Sequence, residues 1–482
     1  MGILSNAKWV ALSQSIKILV ILINLVVLAR LIPPADFGLM AMALVVVNLA
    51  NLIRDFGTSA AIIQRQSLSD KTINAVFWLN VIVGGLLLTI IIVFSPVISY
   101  VFNEPRLITI LCLLSISFPI ACSSSTHLAL LEKKSKFKRI AFIEVSSSLI
   151  AVTGAIILAY KNFGVYSLVF QAITSSVLSA VQIWIASRWR PNFSNIIDIS
   201  EIKNIFGFSG NLTAFNFINY FSRNADTMII GYYMSASILG AYSLAYRIML
   251  FPIQNLTFVA SRALFPIFSE NQDNNPVLKK TYLNAVYFIL LIVLPLMVGL
   301  ATLSRPFVNL VFGQQWFLVG ELLKWLAPTA IIQSVLSSTG VIFMTKGRTD
   351  VLLKLGVFST VLQVLAFIIG VHFGIVNFAK IYFFANIINF IPVMFLVMKL
   401  IDGSIIELLK KTYTIVIHSA IMAFALILCC EFLPYFNSIE SFIKLVLISL
   451  LGCGIYVSLI FLTEFAKIKE FKSKPANNIK SN

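Results

Sequence analysis

Residues 25–44 read LVVLARLIPPADFGLMAMAL and place two apolar segments on either side of a short break. Pro33 and Pro34 fix the local backbone and remove two backbone donors, so we expect them to end the first segment as a helix. Gly38 is expected to permit a tight return into the second helix. Apolar segments of about 20 residues recur along the chain, each long enough to cross a bilayer as a helix. We therefore interpret the break as a turn between two membrane helices.

The overall composition identifies a membrane protein. The chain has 482 residues, of which 59% are hydrophobic and 11% are charged, and its mean hydropathy is +0.95. A soluble domain carries about 25% charged residues. The formal net charge of +17 does not indicate nucleic-acid binding, because the basic residues lie in short loops between apolar segments. We predict an all-α integral membrane protein with no nucleic-acid partner.

Hydropathy predicts about fourteen membrane helices. They cover residues 8–30, 39–64, 73–101, 107–131, 140–160, 165–187, 204–230, 239–266, 281–303, 322–345, 352–371, 375–398, 412–432 and 442–465. No connection between them is long enough to hold a soluble domain. The helical bundle itself is therefore expected to carry the function.

The charges of the loops favour one orientation for these helices. Basic residues concentrate in every second connection, as in EKKSKFKR at 132–139, and they are sparse in the intervening connections. Basic loops of membrane proteins face the cytoplasm. The alternation continues as far as the lysine-rich tail, so we predict that both termini are cytoplasmic.

A weak internal repeat relates the stretch at 25–44 to a later part of the chain. The segment FGLMAMAL at 37–44 resembles LGAYSLAY at 239–246, an offset of 202 residues that aligns Gly38 with Gly240. Six predicted helices separate the two copies. Because six is an even number, both copies have the same orientation, which predicts a parallel repeat about an axis along the membrane normal.

A second match supports a duplicated unit, since SSTHLALLEKK at 124–134 resembles SSTGVIFMTKG at 337–347 in the same order. We predict a six-helix N-terminal lobe at 1–200 and a second six-helix lobe at 201–400. Residues 401–482 are expected to add two transmembrane helices and a basic cytoplasmic tail.

Polar residues lie on matching faces of the repeated helices. Predicted helix 1 carries Gln14, Lys17 and Asn24 on one face. The equivalent face of predicted helix 7 carries Asn216, Asn219, Tyr220, Arg223 and Asp226. Predicted helices 2 and 8 add Asn51, Arg54, Asp55, Tyr242, Tyr246 and Arg247. A charge near the bilayer centre costs about 2.5–3.5 kcal/mol, so we predict that these faces line a water-filled cavity between the lobes.

The charged members of this set favour an anionic substrate. The cations are Lys17, Arg54, Arg223 and Arg247, and they outnumber the anions Asp55 and Asp226. The four cations are the predicted substrate-binding residues. The two aspartates, together with Glu144 elsewhere in the chain, are candidates for H⁺ or Na⁺ coupling, and the choice between these ions stays open.

Each of these charges also has a structural interpretation. Arg223 and Asp226 stand at i and i+3, where they can pair with each other. Arg54 and Asp55 are adjacent and fit a structural hinge pair. Lys17 can extend its ammonium toward the cytoplasmic surface. The sequence does not choose between these interpretations and the cavity.

The chain resembles a known family in three stretches. These are LARLIPPADFGLMAMAL, its repeat IIGYYMSASILGAYSLAYR, and the basic loop LLEKKSKFKR. Together they are similar to the polysaccharide transporter family of the multidrug/oligosaccharidyl-lipid/polysaccharide exporter superfamily, and especially to bacterial O-antigen, capsule and colanic-acid type repeat-unit flippases. The resemblance covers roughly residues 5–400. Its motifs are patterns of apolar and small residues, so it transfers no catalytic residue.

The resemblance implies a multi-pass protein of the bacterial inner membrane. It implies a substrate of undecaprenyl-pyrophosphate-linked oligosaccharide, moved from the cytoplasmic to the periplasmic leaflet by alternating access. The bilayer and the lipid-linked oligosaccharide are the expected partners, with a polysaccharide polymerase and chain-length machinery as candidates. No enzymatic activity, cofactor or metal is expected.

Two other functional classes remain as alternatives. A cation-coupled multidrug extruder of the same superfamily is expected to have acidic residues dominating its cavity, whereas the cations dominate here. A membrane-embedded glycosyltransferase or polymerase is expected to carry a sizeable polar loop with paired carboxylates or histidines. No such loop is visible in the sequence.

Overall fold

The computed structural model describes residues 3–54, 62, 69–193, 220–221, 223–432 and 439–473. Within these ranges, side chains are not described at 3–13, 15, 17, 255–266, 431–432, 439–441 and 464–473. The regular structure of the described residues is helical throughout, which confirms the predicted all-α class. Close contacts divide the chain into two compact units, Met1–Ser243 and Leu244–Asn482. The predicted lobe boundaries stay a prediction.

The described residues of the first unit form seven helices, an eighth at 223–233 and the start of a ninth. They are α1 (Ile3–Leu31), α2 (Pro34–Arg54), α3 (Asp70–Phe102), α4 (Arg106–Ser115), α5 (Ser117–Lys133), α6 (Phe137–Tyr160), α7 (Val165–Ser187), α8 (223–233) and α9 (Ala236–Glu270). Helix α6 packs against α1 and α7, and α5 packs against α3 and α7.

The second unit follows within α9 and contains the remaining helices. They are α10 (Asn275–Thr302), α11 (Ser304–Val311), a 3₁₀ turn (Gln314–Trp316), α12 (Phe317–Thr345), α13 (Thr349–Val371), α14 (Ile375–Leu400), α15 (Ile405–Phe432) and α16 (Ile439–Ser473). Its core is formed where α10, α12, α14 and α15 meet, around Leu278, Val286, Phe343, Met394 and Ile415. Helices α13 and α16 present exposed apolar side chains such as Leu353, Val361 and Leu450, as lipid-facing helices do.

The described residues contain twelve helical segments that are long and apolar enough to cross a membrane, with α4 and α5 together forming one of them. A shorter apolar segment lies at Ile18–Leu31 within α1. The predicted number of fourteen spans stays a prediction.

The turn between α1 and α2 differs from the predicted one in the position of Gly38. Helix α1 ends at Leu31, before the two prolines, and α2 begins at Pro34 itself. Proline suits the first helical position because the missing amide donor has no partner there. Gly38 therefore lies inside α2 rather than in the turn, and its predicted role in the tight return was wrong.

Gly38 instead permits a close approach of two helices. A Cβ atom on Gly38 would lie 1.7 Å from the carbonyl oxygen of Ala236, at the start of α9. A Cβ on Gly240 would lie 1.9 Å from the carbonyl oxygen of Pro34. The two glycines that the repeat aligns therefore sit at the same crossing of α2 and α9. Only residues without a Cβ allow the two backbones to meet at this distance.

Two further differences concern single helices. The predicted span 107–131 is interrupted at Ile116, between α4 and α5. Pro119 explains the interruption, because it has no N–H to donate to the carbonyl of Ser115. The Ser115 hydroxyl bonds back to the Cys112 carbonyl at 2.7 Å and satisfies part of this end. The short helix α11 lies outside the predicted spans, between 281–303 and 322–345.

The glycine crossing predicts an unusual sensitivity to a single methyl group. We expect Gly38→Ala and Gly240→Ala each to lower the melting temperature of the purified protein clearly, because the helices must separate to admit Cβ. Overpacking of this kind costs about 1–3 kcal/mol or more. Gly85→Ala on α3 is the matched control, since a Cβ there meets no atom within 4 Å. Equal melting temperatures for the three variants would contradict the crossing.

The charge alternation predicts the orientation of α6. We expect a cysteine at Lys161, after the end of α6, to react with a membrane-impermeant maleimide in intact cells. A cysteine at Lys136, just before the start of the same helix, is expected to react only after permeabilisation, because basic loops remain in the cytoplasm. Both side chains are exposed. The measurement needs a background without the five native cysteines, and external labelling at 136 would refute the topology.

Candidate functional site

The predicted coupling residue Asp226 is buried in the first unit, with 4% of its surface exposed. It lies on α8, and its Oδ2 accepts a hydrogen bond of 2.8 Å from the hydroxyl of Tyr242 on α9. Its Oδ1 accepts one of 2.6 Å from the backbone N–H of Thr227. The carboxylate therefore joins α8 to α9 through a tyrosine that the sequence had also placed in the polar lining.

Arg223 does not neutralise this carboxylate. It lies one turn before Asp226 on α8, its side chain is exposed, and these two described residues form no ion pair. The structural interpretation in which Arg223 and Asp226 pair at i and i+3 was therefore wrong. Asp226 accepts hydrogen bonds from neutral donors, namely the Tyr242 hydroxyl and the backbone N–H and hydroxyl of Thr227. The side chain of Arg223 is exposed on α8.

A second polar contact ties the described residues just before α8 to α2. The hydroxyl of Tyr220 donates a short hydrogen bond to the carbonyl of Val45 in α2. The amide of Asn224 donates to the carbonyl of Tyr220 at 2.9 Å. Tyr220 was predicted as a lining residue, and the structure gives it a definite position against α2. The contact to α2 and the Asp226–Tyr242 contact between α8 and α9 are two separate polar contacts of the first unit.

The other predicted residues have the following positions. Asn24, Asn51 and Arg54 are partly buried, whereas Gln14 is exposed. In the second unit, Tyr246 is partly buried and Arg247 is exposed on α9. Asp55, Asn216 and Asn219 lie outside the described residues. Lys17 lies on α1, but its side chain is not described. The cavity between the lobes and the substrate-binding role of its cations stay predictions.

The sequence did not reveal a polar junction around Asp36, which lies within the stretch 25–44. Its Oδ1 accepts a bond of 3.2 Å from the Arg106 guanidinium on α4. Its Oδ2 accepts one of 3.0 Å from the backbone N–H of Val165, the first residue of α7. Gly164 has a φ of +54°, and a Cβ there would lie 2.2 Å from the carboxylate. One aspartate thus joins the starts of α2, α4 and α7.

Asp36 could have been singled out as an isolated acidic residue. It is an acidic residue in a strongly apolar stretch, two residues before the repeated glycine Gly38. Its partners, however, lie 70 and 129 residues further along the chain. Local pattern and spacing do not identify partners at such separations.

A histidine in the C-terminal half of α5 packs within an aromatic cluster. His127 is buried, its Nδ1 lies 2.6 Å from the Ser187 hydroxyl, and its ring lies 4.3 Å from that of Trp184. Nearby, Asn74 and Asn192 exchange two hydrogen bonds of 2.8 and 2.9 Å. This cluster fixes the chain after α7 to α3.

Comparisons with known proteins agree on one family. A sequence model of the polysaccharide biosynthesis protein family matches residues 27–321. The lipopolysaccharide biosynthesis protein WzxC of Escherichia coli (strain K12) is 30% identical over 404 residues, covering 83% of this chain and 82% of WzxC. The teichuronic acid biosynthesis protein TuaB of Bacillus subtilis (strain 168) is 26% identical, covering 89% of this chain and 90% of TuaB.

Solved structures share the fold at low sequence identity. The lipid II flippase MurJ in an inward closed conformation has a TM-score of 0.73 at 15% identity, covering 96% of this chain and 100% of that chain. An inward-facing multidrug resistance transporter of the MATE family, in the MOP superfamily, has a TM-score of 0.57 at 17% identity, covering 80% and 96%. At these identities the likeness shows the fold alone.

The resemblance read from the sequence is thereby confirmed. The family match spans more than half of the chain, and the similarity to WzxC extends over most of both proteins. The chain, a helical membrane protein, belongs to the polysaccharide biosynthesis protein family.

Proposed function

We propose that this protein is a flippase for a lipid-linked oligosaccharide in surface polysaccharide synthesis. Its substrate is an undecaprenyl-pyrophosphate-linked repeat unit, which moves from the cytoplasmic to the periplasmic leaflet of the bacterial inner membrane by alternating access. The names of relatives support this proposal, since they include a lipopolysaccharide biosynthesis protein, a teichuronic acid biosynthesis protein and a succinoglycan biosynthesis transport protein. The fold is also that of a lipid II flippase.

The observation that carries the proposal is a pair of arginines on helices that the sequence predicts to span the membrane. Arg223 and Arg247 lie on α8 and α9 with exposed side chains, and within the described residues neither forms an ion pair. Placing each charge in a membrane helix costs about 2.5–3.5 kcal/mol. A pyrophosphate offers two phosphate groups, which guanidinium can bind with paired, charge-assisted hydrogen bonds. An anionic headgroup is thus a partner that offsets this cost.

The positions of the cations along their helices suggest a path for the headgroup. A helix rises 1.5 Å per residue, so Arg54 lies about 30 Å from the start of α2 at Pro34. Lys17 lies about 21 Å from the end of α1 at Leu31. Arg247 lies about 16 Å from the start of α9, and Arg223 about 15 Å from the end of α8. In the predicted topology these four helix ends face outward. The cations then form a series from the cytoplasmic surface to the middle of the membrane.

This series gives each cation a step in the proposed transport. Arg54 and Lys17 meet a pyrophosphate that arrives from the cytoplasmic leaflet, whereas Arg223 and Arg247 meet it near the membrane centre. The oligosaccharide follows the headgroup through the polar cavity while the lipid tail stays in the bilayer. A polysaccharide polymerase and chain-length machinery are candidate partners for the released product.

A second candidate is a cation-coupled multidrug extruder, because the MATE family shares the fold. Such a transporter of cationic drugs needs acidic residues in its cavity. Asp226 is the acidic residue of the predicted set whose side chain is described, and it already accepts three hydrogen bonds from neutral donors. The excess of cations therefore favours the lipid-linked anion.

Charge reversal tests the headgroup role. In a strain lacking its flippase, we expect Lys17→Asp and Arg223→Asp to abolish surface polysaccharide, because each places an anion on the pyrophosphate path. Arg223→Lys is expected to retain partial activity, since a point charge lacks the paired donors of guanidinium. Lys161→Asp, in an exposed loop after α6, is the control. Full rescue by both reversals, at normal membrane levels, would refute the role.

The contact between Asp226 and Tyr242 predicts a coupled pair. We expect Asp226→Asn and Tyr242→Phe each to slow transport strongly. The double variant should be less impaired than the sum of the single losses, because contacting residues are not additive. Tyr232→Phe is the control, since Tyr232 on α8 is exposed. If Asp226 carries a coupling cation, Asp226→Asn should also remove the dependence of transport on the H⁺ or Na⁺ gradient while substrate binding remains. Strict additivity would indicate separate roles.

A further inference from the structure

A cavity of about 250 Å³ lies between three helices of the first unit. A water molecule occupies about 30 Å³ of liquid, so the volume corresponds to about eight water molecules. Drug-sized ligand pockets begin at about 300 Å³. The cavity is therefore larger than a single ion needs and suits a compact polar group. It is lined by Ile21 of α1, Glu144, Ser147 and Ser148 of α6, and Ser175 and Ser179 of α7. We name these six residues the serine cleft.

Three hydroxyls of the serine cleft are available to a ligand. Within the described part of the chain, the hydroxyls of Ser148, Ser175 and Ser179 make no hydrogen bond. Serines of membrane helices usually bond back to their own helix, as Ser124 on α5 does with the Ala121 carbonyl at 2.9 Å. An unpaired hydroxyl in an apolar environment is unfavourable. A polar occupant of the cleft would satisfy all three.

The wall between α6 and α7 is held in place by a glutamine. The Gln182 amide nitrogen donates to the Ser147 hydroxyl at 3.1 Å, and the Ser146 hydroxyl donates to the Gln182 amide oxygen at 2.9 Å. These bonds fix the register of the two helices. The Ser147 hydroxyl accepts one bond and retains its own proton to donate. The hydroxyls are thus arranged before any ligand arrives, which lowers the entropic cost of binding.

The cleft also contains a strong acceptor and an apolar side chain. Glu144 has an exposed side chain on α6, and its two carboxylate oxygens only accept hydrogen bonds when ionised. Ile21 supplies the apolar wall. Three residues further along the same face of α1, the buried Oδ1 of Asn24 has no hydrogen-bond partner in the described structure. A matching ligand has several adjacent hydroxyls on a compact carbon frame.

We propose that the serine cleft binds one sugar residue of the transported oligosaccharide. Two neighbouring sugar hydroxyls donate to the Glu144 carboxylate, and the serine hydroxyls of α6 and α7 donate to or accept from the remaining ones. The carbon face of the ring lies against Ile21. This inference rests on the proposed flippase function and assigns the glycan a site apart from the cations that receive the pyrophosphate.

Two lipid probes separate a glycan site from a headgroup site. The full-length protein in nanodiscs is titrated with lipid-linked oligosaccharide extracted from producing cells, and in parallel with undecaprenyl pyrophosphate. We expect Glu144→Gln to weaken binding of the glycosylated lipid about tenfold or more, the loss of a hydrogen bond to a charged group. The double variant Ser175→Ala with Ser179→Ala should weaken it comparably. Binding of undecaprenyl pyrophosphate should stay unchanged in both.

The control is Ser176→Ala, since Ser176 neighbours Ser175 on α7 but does not line the cleft. Melting temperatures of all variants establish that folding is intact. Equal losses on both lipids, no loss on either, or a wild type that does not prefer the glycosylated lipid would overturn the serine cleft and leave the flippase proposal standing. Loss of ion dependence with unchanged glycan affinity would also overturn it, in favour of a coupling site. A wild type that binds neither lipid overturns both proposals.

Discussion

The backbone contact between Gly38 and Gly240 constrains most of the first unit. At this crossing, the carbonyl of Ala236 in α9 lies where a side chain on Gly38 would begin. Once α2 and α9 meet so closely, α8 must run beside both of them, because only the short connection 234–235 separates it from α9. The bonds from Tyr220 to Val45 and from Tyr242 to Asp226 become geometrically available at this point. The crossing therefore brings together the helices that carry the polar residues.

How much of this arrangement the sequence predicts depends on how far apart the interacting residues lie along the chain. The apolar segments predicted the helices, since each helix satisfies its own backbone hydrogen bonds within the membrane. The repeat singled out Gly38 and Gly240, but it did not reveal that the two residues meet. Gly38 was assigned to the turn because glycine after a break usually has that role. Contact between segments 200 residues apart leaves no local pattern.

The same limit applies to the polar residues. The sequence placed Asp226, Tyr220 and Tyr242 in one set because they follow helical faces, and the structure shows two separate contacts among them, Tyr220 with the Val45 carbonyl and Tyr242 with Asp226. It did not single out the serines of α6 and α7. Serine is small, occurs often in membrane helices and usually bonds to its own helix. Only the packing of α1, α6 and α7 shows which hydroxyls have no such partner and share a cavity.

The distribution of hydrogen-bond partners separates structural from functional polar groups in this chain. Asp36 is paired with Arg106, and Asp226 is hydrogen-bonded by neutral donors, so both carboxylates have partners within the fold. Arg223 and Arg247, and the hydroxyls of Ser148, Ser175 and Ser179, have no such partner among the described residues. In a membrane the second group is unfavourable unless water or a ligand binds it. The unsatisfied cations suit a phosphate and the unsatisfied hydroxyls suit a sugar, and a lipid-linked oligosaccharide carries both groups in one molecule.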